Sequence, residues 1–133
     1  MGPYSYASQI LLNPRADALQ GFSRSWLKTY KKIDKPKWLK MSRYLLVDPA
    51  SSKKKGSDCT AIGVIALGVD GNYYLLDGVR DRLNLTERTE RLFKLHRDWQ
   101  IKHPVRYEKY GMQADIEHIK AEMEHQNYRF PIV

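Results

Sequence analysis

Residues 43–80 read RYLLVDPASSKKKGSDCTAIGVIALGVDGNYYLLDGVR, and their pattern decides the fold. Three apolar runs stand here, RYLLVD, TAIGVIALGV and NYYLLDGVR, each rich in the β-branched, aromatic and aliphatic residues of strands. Asp70, Gly71 and Asn72 join the second run to the third. Asp-Gly between apolar runs is a strong hairpin signal, because glycine accepts the positive φ of a tight turn. The first run ends on a carboxylate, Asp48, and Lys53, Lys54 and Lys55 follow in the next loop. An acid at the tip of a buried strand, with cations close behind it, calls for a chemical reason.

Toward the C-terminus the period changes. In NLTERTERLFKLHRDWQIK, Asn84 with Glu87 three residues later forms a capping-box pattern, with Thr86 as a competing cap. Leu92, Leu95 and Trp99 then mark one helical stripe. PVRYE is a fourth short strand, and Gly111 permits a turn into MQADIEHIKAEMEHQ, where Met112, Ile116, Ile119 and Met123 share a face. YRFPIV starts a fifth strand. The order β-β-β-α-β-α-β predicts an α/β domain over residues 43–133, a mixed sheet with helices packed on it. Residues 1–42 read as an arm or linker. Phe22, Trp26 and Tyr30, spaced by four, suggest a short amphipathic helix before a segment of lysines and prolines; an ordinary N-terminal extension is the other reading.

The chain has 133 residues, enough for one domain, and a formal net charge of +8. Its pI of about 9.6 favours polyanionic partners, nucleic acid before anionic membrane. The single cysteine, Cys59, excludes an internal disulfide and a cysteine-built zinc site, and reads as a small buried hydrophobe. No apolar stretch approaches the roughly 20 residues of a membrane span, and the N-terminus lacks the layout of a signal peptide. The expectation is a soluble, cytoplasmic protein with no membrane partner.

Two acids stand apart. Asp48 ends the first strand and Glu108 the fourth, and if those strands are neighbours both carboxylates meet at one sheet edge. Convergent carboxylates offer hard oxygen ligands to Mg²⁺ or Mn²⁺. Two such ions can activate water and stabilise the leaving oxygen in phosphodiester cleavage, while Lys53, Lys54 and Lys55 contact phosphates. Each residue also has a plainer reading. Strand-end acids commonly shape turns, and lysine runs are commonly solvated loops. Asp58 either bonds its own turn or supports Asp48. His96, His103, His118 and His125 form no metal-binding pair and read as surface or core. Tyr73, Tyr74, Tyr107 and Tyr110 could stack on bases, although strand tyrosines usually belong to a core. KKKGSD lacks the residue order of a phosphate loop.

Beyond these local readings, YLLVDPASSKKKGSDCTAIGVIALGVDGNYYLLDGVRDRLNLTERTERLFKLHRDW, followed by YEKYGMQADIEHIK, resembles the nuclease domain of tailed-phage terminase large subunits. YASQILLNP and GFSRSWLKTY resemble the segment joining that family's ATPase motor to its nuclease. The resemblance implies an RNase H-like fold and a metal-dependent endonuclease that cuts concatemeric DNA during viral genome packaging. Asp48, in its D-P-A context, matches the family's first metal-binding acid. Glu108, before a Tyr-Gly turn, matches the second, and Asp58 matches an auxiliary acid in an S-D-x-T-A stretch. The family's third acid follows the fifth strand. No position here matches it, so the resemblance places it beyond Val133 and implies a chain truncated at its C-terminus. Asp115, Glu117, Glu122 and Glu124 lie on the preceding helix and are not its equivalents. The implied cofactor is Mg²⁺ or Mn²⁺. The implied partners are double-stranded DNA, the terminase small subunit and the portal protein, in the host cytoplasm. Two alternatives stand beside this one. A basic RNase H-like fragment could bind DNA without cutting it. An actin-like or sugar-kinase half-domain also begins with three strands and an acid, but it needs glycines after the acid, where this chain has Pro49 and Ala50.

Overall fold

The first strand, β1 (Ser42–Asp48), pairs antiparallel with β2 (Thr60–Leu67), which pairs antiparallel with β3 (Tyr73–Asp81). On its other side β1 pairs parallel with β4 (Arg106–Tyr107), so the sheet is mixed, in the order β3-β2-β1-β4. Among the described residues three α-helices accompany it: α1 (Lys35–Trp38), α2 (Leu85–Asp98) and α3 (Gln113–Gln126). This computed structural model describes residues 23–49, 59–108 and 113–133.

Alternation sorts the sheet into two unlike faces. Leu45 and Val47 lie opposite Val64 and Ile62, and all four are buried. With Ala66, Leu76 and Tyr107 they join a core completed by Leu92, Phe93 and Leu95 of α2 and Ile119 and Met123 of α3. The intervening residues Leu46, Asp48, Ala61, Gly63 and Ile65 point to the opposite face, which no helix covers among the described residues. The helices therefore form one layer, on the side away from Asp48.

The hairpin forms as its sequence predicts, with Gly71 at φ 80° and the Gly68 N–H bonded to the Asn72 carbonyl. The capping box also forms: Asn84 accepts from the Glu87 N–H at 2.8 Å, and Glu87 accepts from the Asn84 N–H at 3.3 Å. Thr86 lies inside the helix instead of capping it. The buried stripe of α2 is wider than Leu92 and Leu95, since Thr89, Phe93 and His96 are buried too.

The N-terminal arm departs from expectation. Residues 24–26 form a single 3₁₀ turn with Trp26 64% exposed, and residues 27–34 form no helix. The four-residue spacing fails because Tyr30 is held by tertiary contacts. Its hydroxyl donates to the Leu75 carbonyl, and its ring meets Tyr74 edge-on at 5.6 Å. A helical turn begins only at Lys35, with Pro36 in its first turn. It delivers Trp38 into the same core as the strands, against Trp99 at 4.9 Å. Cys59 is half-buried rather than buried. Phe22, Gly111, Met112 and Tyr110 lie outside the described residues.

The predicted fifth strand is reduced to one parallel bridge, Val105 with Ile132, on the outer side of β4. Val105 N–H donates to the Pro131 carbonyl, Val133 N–H to Val105, and Tyr107 N–H to Val133. Pro131 has no N–H of its own, which limits how far that ladder extends. Tyr128 and Phe130 precede it and enclose His96, which is 5% exposed, stacked on Phe130 at 4.3 Å and hydrogen-bonded through Nδ1 to the Tyr128 hydroxyl at 2.6 Å. Burial, assisted by the Arg97 charge, lowers the His96 pKa to about 4. The unfolded chain therefore takes up this proton first as pH falls. The stabilisation by neutral His96 is complete above about pH 6.5 and disappears toward pH 4, a loss on the order of 3 kcal/mol. Urea denaturation across that range should show the decline, and His96→Phe should flatten it.

Candidate metal centre

The parallel pairing of β1 with β4 brings the two strand-end acids together. Leu46 is in register with Arg106 and Val47 with Tyr107, and the Glu108 N–H continues the ladder to the Val47 carbonyl at 3.0 Å. Asp48 and Glu108 are each the next residue of their strands, and both are exposed on the uncovered face. The backbone register therefore sets the two carboxylates side by side at one strand end. The bond to Asp48, then the repulsion of its charge, raises the Glu108 pKa, with a smaller contribution from desolvation. Such a pair either shares a proton or repels itself, and a divalent cation removes that conflict.

Below the pair runs an open groove of about 580 Å³, lined along its apolar length by Leu46, Ala61, Gly63, Ile65, Leu75 and Val133. Arg106 also lines it, two residues before Glu108 and on the same face. Sequence reasoning missed Arg106, although the alternation of Val105, Arg106, Tyr107 and Glu108 was enough to place Arg106 beside Glu108.

Tyr107 faces the other way, and its hydroxyl donates to the buried Asp115 carboxylate of α3. Arg88 of α2 grips both oxygens of that carboxylate, at 3.0 and 3.1 Å, and also bonds the Leu83 carbonyl at 2.9 Å. Burial first, then Asp115, pushes the Tyr107 hydroxyl pKa upward. The three side chains tie both long helices to the strand that presents Glu108, so they position it. Asp115 is thus held in a buried ion pair with Arg88.

Of the expected site residues, Asp48 and Glu108 are brought together. Asp58 and Lys53, Lys54 and Lys55 lie outside the described residues. Two carboxylates suit a hard, oxygen-seeking cation such as Mg²⁺ or Mn²⁺. No group of three or more potential ligands occurs among the described residues. No helix among them is long and apolar enough to cross a membrane. No protein-family model, characterised protein or solved structure matches the chain.

Proposed function

We propose that the chain is a metal-dependent DNA endonuclease domain with an RNase H-like fold, of the kind that serves viral genome packaging in terminase large subunits. One observation carries this reading: Asp48 and Glu108 converge at the ends of adjacent parallel strands, on the face left open by the helices. The strand order β3-β2-β1-β4, with a fifth segment bridged outside β4, supports the fold assignment. In this reading Asp48 and Glu108 hold the cation, which when bound supplies Lewis acidity at the scissile phosphate. Arg106 neutralises phosphate charge beside them, Asp58 assists, and Lys53, Lys54 and Lys55 bind the DNA backbone. By the same resemblance, the terminase small subunit and the portal protein are its partners, in the host cytoplasm.

The test is a melting series in Mn²⁺ and Mg²⁺, because a cation bound only by the native state raises Tm. With two carboxylates the response should need about millimolar metal, since Mg²⁺ gives up its waters reluctantly. Asp48→Asn should abolish the rise, and retention of the rise would place the metal elsewhere. Without metal, Glu108→Gln should itself raise Tm slightly, because it removes the repulsion. The presence of only two convergent acids among the described residues favours a second reading, a DNA-binding module without cleavage. That reading predicts the metal-dependent rise in Tm without nicking.

A further inference from the structure

The net charge is unevenly placed. Residues 28–40, KTYKKIDKPKWLK, hold six lysines against one aspartate, a net +5 of the chain's +8. Lys28, Lys31, Lys32, Lys35, Lys37 and Lys40 are all exposed. Neither ion pair found among the described residues, Arg88–Asp115 or Lys94–Asp98, involves any of them. Exposed like charges spaced within a Debye length of about 8–10 Å reinforce one another and raise the local potential.

The segment is also docked. Tyr30 bonds Leu75, Ile33 packs on the core and Trp38 is buried in it, so the inward residues fix the backbone from which the lysines project. Lys31, Lys32 and Lys35 border a cleft of about 520 Å³ whose floor includes Trp38, Leu76 and Trp99. A docked array has already lost much of the backbone freedom that a polybasic tail would lose on binding. It sits at the start of β1, a strand length of roughly 20 Å from Asp48.

We propose that residues 28–40 form a phosphate-binding surface for duplex DNA, separate from the carboxylate pair. Backbone contact by lysine is independent of sequence and is recognised by counterion release: each phosphate neutralised contributes about 0.9 to the slope of log K against log salt. The inference goes beyond the metal-site reading, since it needs neither metal nor cleavage.

The experiment is fluorescence anisotropy of a labelled duplex with the full chain in EDTA, from about 50 to about 200 mM salt. Replacing all six lysines by glutamine should lower the slope by about 3 to 5 and weaken binding at least 100-fold at the low-salt end. The six-arginine counterpart should keep the wild-type slope. If the glutamine variant melts early, two variants of three substitutions each, one at Lys28, Lys31 and Lys32 and one at Lys35, Lys37 and Lys40, should divide the loss between them. An unchanged slope in folded glutamine variants would overturn the proposal. Tighter binding to phosphatidylserine vesicles than to the duplex at equal salt would overturn it in favour of a membrane surface. Because EDTA removes metal from the readout, failure of the metal-dependent melting series leaves this result standing, and the converse also holds.

Discussion

Replacing Asp48 by asparagine should reduce Mn²⁺-dependent nicking of supercoiled DNA by at least about 100-fold, and Glu108→Gln should do the same. Both carboxylates are exposed strand-end groups whose removal creates no cavity, so the variants should fold as well as wild type. The loss should therefore appear in rate at saturating DNA and not in DNA affinity. Metal binding should also depend on pH in a defined direction. Holding a cation requires both acids ionised, and Asp48 raises the pKa of Glu108 in the metal-free protein, so metal affinity should climb with pH as the pair loses its proton. Asp58→Asn should cost less than either, as befits an auxiliary group. Nicking that survives Asp48→Asn would remove the carboxylate pair from the chemistry, and Asp58 would become the first candidate to replace it.

What made this pair legible in the sequence is local. An acid that closes an apolar strand is visible at Asp48 and again at Glu108, and the hairpin turn at Gly71 limits how β2 and β3 can pair. The direction of β4 fits the helix that joins it to β3, which already runs parallel to β1, whereas its seat beside β1 and not beside β3 was only one of the arrangements the order allowed. Less legible was anything that depends on two distant side chains choosing each other. Arg88 and Asp115 each look like ordinary exposed positions on amphipathic helices, and only the packing of α2 and α3 against Tyr107 makes them a buried pair. The spacing of Phe22, Trp26 and Tyr30 misleads for the same reason: the contacts of Tyr30 with Leu75 and Tyr74 outweigh a helical period only three residues deep. Arg106 and the basic array at residues 28–40 are different, since both could have been read from alternation and charge counting.

Arg43 is the residue whose loss should cost the fold most. At the start of β1 it reads as an ordinary strand-edge cation, yet it is 6% exposed. Its guanidinium donates to five carbonyls: Nε to Trp99 at 2.7 Å, Nη1 to Trp38, Met41 and Leu39 at 2.8, 3.0 and 3.1 Å, and Nη2 to Gln100 at 3.0 Å. Trp38 and Leu39 end α1, and Trp99 caps α2 with Gln100 just beyond it, so one cation bonds carbonyls at two helix C-termini and complements their dipoles. The guanidinium carbon lies 5.1 Å from the centre of the Trp38 ring, which adds a cation–π contact. Arg43→Met should fill much of the volume but strip the guanidinium donors from these carbonyls, most of them partly buried and only Trp38 keeping another donor in the Met41 N–H at 3.1 Å, costing on the order of 2–4 kcal/mol. Arg43→Lys should recover only part, because an ammonium offers three donors from one point and cannot fan across two helices. Urea denaturation should show the midpoint falling with its slope unchanged. A loss below about 1 kcal/mol would mean that water replaces the guanidinium at both helix ends. Since Asp48 lies at the far end of the same strand, Arg43→Met should lower Tm with and without metal alike and leave the Mn²⁺-induced rise intact. That contrast separates the residue that anchors β1 from the residue that uses it.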